Sequence, residues 1–289
     1  MRAVSSSRIG LGSGVIALIL VFSASAVDPT TNRVYESTAA VARNIGESLY
    51  EALPPKYSAR VSSRPVTIVA QKEPMIAPTE LVESNRIARG VSVSTGLIDL
   101  LNHLSHAKAV DQVEPGFFSA YVKRVASAPG APPTLPAITA DKYWTDDVSN
   151  DQLSYFNQML GFLVALNLSH HYLGHYTKHA RELFLSGTAA TPINWFLSRR
   201  EWEKSVRAGA INSCGCAMTT VGARALVEAL EMMPERPAWA ACLTPPKIDL
   251  KRLDKELATY EFDFFHSYLP QTRQHWAVAG SITPRDFGY

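Results

Sequence analysis

The chain contains few cysteines, almost no net charge and no long apolar run beyond its first 26 residues. Three cysteines in 289 residues exclude a small disulfide-rich scaffold. A formal net charge of +2, with basic residues scattered along the chain, gives no electrostatic footprint for nucleic acid. After residue 26 no apolar stretch approaches the roughly 20 residues that a membrane-spanning helix needs. We therefore expect a mature chain with no membrane span and no nucleic-acid partner.

Several motifs of well-known enzyme classes are also missing from the sequence. It has no glycine-rich phosphate loop, no dinucleotide-binding fingerprint and no Gly-x-Ser-x-Gly nucleophile elbow. It has no internal repeat, which disfavours a solenoid. Hydrophobic residues make up 46% and charged residues 19%, a balance that favours a folded globular chain over a disordered one.

The first 26 residues have the pattern of a cleavable export signal. Arg2 and Arg8 precede the apolar run Leu11–Phe22, and Ala24-Ser25-Ala26 has the form of a cleavage site. The run is too short to span a bilayer, so an anchor is the less favoured interpretation. We expect residues 1–26 to be removed and residues 27–289 to form one exported domain, located in the periplasm or secreted.

Hydrophobic periodicity predicts an α+β protein that is predominantly helical. Helical spacing of apolar residues occurs in five segments: 38–53, 150–179, 195–207, 219–233 and 250–268. The segment 150–179 is expected to be one helix, with or without one break. β-branched and alternating residues predict strands at 66–70 and 89–96, the second turning directly into a helix near Gly96. The Pro-, Ala- and Gly-rich stretch 127–144 predicts a surface loop.

The three cysteines suggest one disulfide in an oxidising compartment. Cys214 and Cys216 are too close in sequence to pair comfortably, so the expected bridge joins one of them to Cys242. A zinc site on these cysteines is the weaker alternative, since a second Cys pair is missing.

The segment with most chemical information contains four histidines, at positions 170, 171, 175 and 179. On a helix, His171 and His175 would lie one turn apart on one face, where both imidazoles could bind one metal ion. Tyr172 follows the first of them, where the zinc-peptidase pattern His-Glu-x-x-His has its general base. The alternative is that both histidines have a structural role and bind no metal. No role is assigned to His170 or His179 on this pattern.

Residues 85–101 and 162–176 together resemble the HtpX-like and CAAX-prenyl-protease-like zinc metallopeptidases, and the resemblance extends over residues 80–235. It implies a zincin-like (gluzincin) minimal domain with a small sheet and an active-site helix. It also implies a zinc cofactor, a substrate-binding edge strand and an acidic third ligand. On this chain the edge strand maps to Val93, Thr95 and Gly96. The metal ligands map to His171, His175 and Glu201, with Glu203 as the alternative third ligand.

Two departures from the family pattern weaken the case for catalysis. Tyr172 replaces the catalytic Glu, and Ser205 stands where the family has an Asp that orients a ligand histidine. A phenol with an ordinary pKa near 10 is a poor general base at neutral pH. Losing the base raises the barrier by roughly 3 to 5 kcal/mol.

The resemblance, together with these two departures, implies an exported metallopeptidase-like protein. It would be a metal-binding pseudoenzyme with lost or weak proteolytic activity and with a peptide or protein as its ligand. One alternative is an active zinc metalloendopeptidase with an unusual general base. Another is a secreted structural or interaction protein without metal.

Overall fold

The computed structural model describes residues 35–83, 86–127, 133–186, 192–245 and 247–268. The expected export signal, residues 1–26, and the start of the mature chain lie outside these ranges. Within them, no helix combines the length and the apolar character needed to cross a membrane.

The described residues form ten α-helices and one three-stranded sheet. The N-terminal half contains α1 (Ala39–Glu51), α2 (Pro55–Ser58), β1 (Val66–Val69), β2 (Ile76–Glu83), β3 (Arg86–Ser94), α3 (Thr95–Val113) and α4 (Phe117–Ser127). The remainder contains α5 (Asp146–Tyr172), α6 (His175–Lys178), α7 (Ala180–Leu185), α8 (Arg199–Gly215), α9 (Val221–Met232) and α10 (Leu250–Asp263). The α+β, mostly helical class predicted from periodicity is confirmed. Strand β2 and helix α4 were not predicted.

Strand β3 is the central strand of the sheet, whose order is β1-β3-β2. Its residue Val93 pairs with Ile68 of parallel β1 on one side and with Ile76 of antiparallel β2 on the other. The assignment of Val93 to a substrate-binding edge strand is therefore wrong, because both of its edges are occupied. Thr95 and Gly96 are not in the sheet at all, since they form the first turn of α3.

The predicted turn from strand directly into helix is confirmed at Ser94. This residue ends β3, and its hydroxyl accepts a hydrogen bond from the Leu97 N–H at 3.0 Å, so it also caps α3. A serine in extended conformation before a helix satisfies one of the free N–H groups of the first turn.

Strand β2 forms one edge of the sheet, and Pro78 explains its position. The N–H of Val91, opposite Pro78, donates to Pro65 on the β1 side. In an antiparallel ladder this means that the Pro78 nitrogen faces the outer edge, where a missing N–H costs no ladder bond. In the described ranges no strand pairs with that outer edge.

Helix α5 lies at the centre of the protein, packed against α1, α3, α8, α9 and the sheet. Every residue from Met159 to Tyr172 is buried, so this part of the helix has no solvated face. Its polar side chains must find partners inside the protein. Asn167 and Ser169 bond back to the carbonyls of Leu163 and Leu166, whereas the histidines at its end bond to other elements.

Helix α8 approaches α5 closely through Gly209. A Cβ at this position would lie 2.9 Å from the backbone nitrogen of Leu166, closer than real Cβ atoms come. Only glycine therefore allows this contact, which places Ser205, one turn earlier on α8, against the end of α5.

The three cysteines are free thiols, so the expected disulfide is not formed. The Cys216 Sγ faces the Ser48 carbonyl of α1, whereas the Cys242 Sγ faces the carbonyls of Pro74 and Trp239. These cysteines bond to separate parts of the backbone, and Cys214 is buried on α8.

We expect Gly209→Ala to lower the free energy of unfolding by about 1 to 3 kcal/mol, because the added methyl group separates α8 from α5. The control is Gly215→Ala on the same helix, where the new Cβ would lie at an ordinary 3.6 Å from the Ala52 Cβ. This control should be neutral or stabilising by no more than about 1 kcal/mol. Urea denaturation of both variants measures the difference, and equal stabilities would contradict the close approach.

Candidate functional site

Helix α5 ends between the two predicted metal ligands. Its last residue is Tyr172, Gly174 adopts a left-handed conformation with φ of +81°, and His175 begins the separate short helix α6. Glycine is the residue that adopts this conformation without strain, and it commonly ends helices. His171 and His175 therefore do not share a helical face, so the spacing argument for a common metal does not hold.

His171 binds the sheet instead. Its Nε2–H donates to the Gly90 carbonyl of β3 at 2.8 Å, and its ring packs against Tyr176 with centroids 4.8 Å apart. Because a carbonyl only accepts, this bond places the proton on Nε2. Burial lowers the pKa of His171, although the bond to Gly90 acts in the opposite direction. The neutral imidazole joins α5 to β3.

His175 turns towards α8 and meets a histidine to which the sequence assigned no role. Its Nδ1 lies 3.1 Å from the Ser205 Oγ and 3.5 Å from the His170 Nδ1. The Ser205 Oγ also lies 3.2 Å from the His170 Nδ1. We call His170, His175 and Ser205 the histidine–serine cluster. It is buried, and it ties α5, α6 and α8 together.

The hydrogen bonds of this cluster suggest one arrangement of its protons. The His170 Nε2 is buried with no hydrogen-bond partner among the described residues. A proton on His170 Nδ1 leaves that Nε2 as an acceptor, so the ring of His170 buries no N–H group without a partner. Ser205 then accepts from His170 and donates to His175.

Burial and like charge keep the cluster neutral. Burial, together with the neighbouring His175, His171 and His179, lowers the pKa of His170 to about 3. Burial also lowers the pKa of His175, against the opposing attraction of Glu201. At neutral pH both imidazoles are therefore uncharged.

Glu201 lies near the cluster but is held by other residues. It forms a capping box with Ser198 at the start of α8, and its Oε1 accepts from Lys178 at 2.6 Å. The same oxygen lies 3.5 Å from the His179 Nε2. Burial acts to raise the pKa of Glu201, but the hydrogen bonds from Lys178 and Ser198 outweigh it and lower the pKa.

Glu203, the alternative third ligand, points to the surface. Its Oε1 pairs with Arg199 at 2.9 Å and with Arg252 at 3.0 Å. These ion pairs turn the carboxylate towards α10, and Glu203 has no hydrogen bond or ion pair to the four histidines of the segment 170–179.

Tyr172, at the predicted general-base position, is part of the core. It is 2% exposed, its ring stacks on Tyr57 at a centroid distance of 4.7 Å, and its carbonyl accepts from Arg60. Burial first, and then Tyr57, raise the pKa of Tyr172 above its ordinary value. The phenol of Tyr172 therefore loses its proton even less readily than that of an exposed tyrosine, so less of it is present as a phenolate base at neutral pH.

The zinc site implied by the resemblance does not fit the residues predicted to hold it. His171 faces β3, His175 faces α8 and Glu201 caps α8, so the three do not converge. Across the ranges that the structure describes, no group of three or more His, Cys, Asp or Glu is arranged to hold a metal ion.

The sequence pattern assigned no role to His170 or His179, and it did not show that Ser205 bonds to two histidines. The available signal was Gly174, because a glycine after an apolar periodic run is a common helix stop. A stop there separates His175 from the face of α5 and leaves His170 as the residue that meets α8.

Comparisons with protein-family models, curated proteins and solved structures give no match to this chain. Its function is therefore inferred from its own residues and their contacts.

We expect the folded protein to lose stability as the pH falls below about 6.5. The pKa of His170 is about 3 in the folded state against an ordinary value of 6.5, so between these values the unfolded chain binds more protons. The contribution of His170 to the free energy of unfolding is fully present above about pH 6.5. It declines towards pH 3, by at most about 1.4 kcal/mol per pH unit.

Replacing His170 with Met should flatten this dependence in chelator-treated buffer. The control His266→Ala removes an exposed histidine and should leave the slope unchanged. Urea midpoints between pH 4 and pH 7 measure the effect. Identical slopes for wild type and His170→Met would show that His170 does not titrate as its burial requires.

Proposed function

We propose that this chain is an exported metallopeptidase-like protein that has lost efficient peptide hydrolysis and binds extended peptides or unfolded protein segments. The observation that carries the proposal is the lack of a carboxylate at the general-base position. In the register read from the sequence this position is Tyr172, which lies in the core stacked on Tyr57. The zincin-like fold is part of this proposal.

The order and contacts of the elements support a peptidase-like arrangement. A strand runs directly into a helix, α5 joins the sheet through His171 and Gly90, and α8 brings Ser205 and Glu201 to the histidine end of α5. The zinc-peptidase pattern requires these parts. In it, the helix with the acidic residue, here α8, packs across the helix with the histidines, here α5.

The same contacts shift the motif by one residue and explain the loss of activity. His170, not His171, meets the helix that contains Ser205 and Glu201. If His170 takes the second histidine position of His-Glu-x-x-His, the first histidine is Leu166 and the glutamate is Asn167. Both lie in the fully buried part of α5, and the Asn167 amide donates to the Leu163 carbonyl. Neither residue supplies a metal ligand or a base.

The outer edge of β2, with which no described strand pairs, is the surface that fits an extended ligand. By the register with β3, the backbone groups of Glu80 and Val82 face outward like those of Pro78. At the same end of the hairpin, Val82 and Ile87 are 80% and 59% exposed and pair directly across the two strands. An added strand would gain main-chain hydrogen bonds from the edge and apolar contacts from this pair.

We expect fluorescein-labelled casein to bind the purified protein without being cleaved, with or without added zinc. Fluorescence anisotropy measures binding, and release of acid-soluble fluorescence measures hydrolysis. Cleavage that a chelator abolishes would contradict the loss of activity. Absence of casein binding by the wild type would contradict the ligand-binding role.

The variant Val82→Pro should weaken casein binding at least tenfold, because proline removes an outward N–H while leaving the β2–β3 ladder intact. Val82→Thr is the matched control, since it keeps the backbone donor and a β-branched side chain, and it should bind like the wild type. Circular dichroism confirms that both variants are folded. Equal binding by Val82→Pro and wild type would exclude the edge of β2 as the site.

A further inference from the structure

Helix α7 is attached to the protein without contributing to its core. None of its residues, Ala180–Leu185, is buried, and its main contact is with the preceding helix α6. Its two large apolar side chains, Phe184 and Leu185, are 84% and 67% exposed. Adjacent exposed apolar side chains mark an interaction surface more often than isolated ones do. The apolar end of α7 is therefore available to a partner.

Trp195 presents a third large apolar side chain to solvent. It is 59% exposed, although Ile193 and Asn194, the other two residues of its short 3₁₀ helix, are buried. The Asn194 side chain donates to the carbonyls of Ala241 and Cys242 and so fixes this short helix to the protein. Trp195 is thus held at the surface by its buried neighbours.

Contacts of Glu201 hold the start of α7 beside the start of α8. Glu201 lies in the first turn of α8, 2.6 Å from Lys178 and 3.5 Å from His179, the residue before α7. Trp195 is joined to α8 by the short segment 196–198. The end of α7 and Trp195 therefore lie at the same end of the protein. We define the apolar tip as Phe184, Leu185 and Trp195.

Basic side chains without ion-pair partners lie on α7 and on the first two turns of α8. Arg181 precedes Phe184 and Leu185 by three and four residues, so it lies on the same side of α7 as they do. On α8, Arg200 and Lys204 are exposed and lie one turn apart. In the described ranges none of these three cations forms an ion pair.

The acidic side chains in the same region are mostly neutralised. Glu201 pairs with Lys178, and Glu203 pairs with Arg199. Glu182 on α7 is exposed and forms no ion pair within the part of the chain that the structure describes. Unpaired cations therefore outnumber unpaired carboxylates, which favours an anionic surface as the partner.

The composition and the shape of the apolar tip favour a lipid bilayer. Tryptophan, phenylalanine and leucine next to basic residues are typical of segments that anchor proteins in the membrane interface. At 84% exposure, Phe184 protrudes into solvent, whereas a small-molecule site is concave. Lysine and arginine side chains beside such a protrusion complement the phosphate groups of anionic lipids.

We propose that the apolar tip docks into the surface of an anionic phospholipid bilayer, with Arg181, Arg200 and Lys204 binding lipid phosphates. The protein lies on the bilayer through this tip. The proposal goes beyond peptide binding at β2 and does not depend on it, since β2 contains none of these residues.

Co-sedimentation with vesicles of phosphatidylglycerol and, separately, of phosphatidylcholine tests the proposal on protein purified without residues 1–26. We expect at least roughly tenfold tighter binding to the anionic vesicles, because each basic residue near an anionic surface strengthens binding about fivefold. High salt should weaken this binding, since it screens the cations. No binding to the anionic vesicles is the result expected if a protein partner covers the tip instead, and it would overturn the proposal. Equal binding to both lipids would also overturn it.

The double variant Phe184→Ser with Leu185→Ser should weaken binding to the anionic vesicles at least roughly tenfold, because it removes the apolar area that enters the bilayer. The matched control is Phe262→Ser on α10, where the phenylalanine is 60% exposed but lies outside the tip. This control should change the binding by less than about twofold. Circular dichroism checks that both proteins are folded. Equal binding by the double variant and the control would contradict docking through α7.

Quenching of tryptophan fluorescence by vesicles with brominated acyl chains places Trp195 in the bilayer without disturbing α7. We expect the wild type to be quenched and Trp195→Phe to be quenched less, because the replacement keeps an apolar ring but removes the fluorophore nearest the lipid. Equal fractional quenching of the two proteins would overturn the assignment of Trp195 to the docking surface.

Discussion

The contact between α8 and the end of α5 determines the geometry of the whole histidine-rich region. Gly209 allows the helices to approach within van der Waals range of backbone, and Ser205 then bonds to His170 and His175. A side chain larger than hydrogen at Gly209 would move this hydroxyl away from both rings. Because the last turns of α5 have no solvated face, their polar groups depend on such partners, and the folded state favours neutral imidazoles.

Much of the fold could be predicted from hydrophobic periodicity, and its failures have identifiable causes. Segments such as α1 and α10 show one apolar stripe, so their period is clear. Strand β2 was missed because Pro78 and the mixed polarity around it do not alternate like a half-buried strand. Alternation in β3 predicted a strand but not its place in the sheet, since that depends on pairing with β1 and β2. The cysteine spacing likewise did not show that the thiols face separate backbone carbonyls.

The predicted pairing of His171 with His175 failed for a related reason. Counting four residues from His171 to His175 assumes an unbroken helix, and Gly174 breaks it. The pattern therefore paired His175 with His171, which bonds to the sheet, and assigned no role to His170. His170 is more informative, because its position relative to Ser205 shows which face of α5 meets α8.

The account as a whole depends on His175 leaving the line of α5 and joining His170 and Ser205. Nuclear Overhauser effects between the imidazole ring protons of protein labelled at histidine measure this most directly. We expect contacts between the rings of His170 and His175, whose centroids lie 5.7 Å apart, and between His171 and Tyr176. Close contacts between the rings of His171 and His175, with none between His170 and His175, would contradict the account.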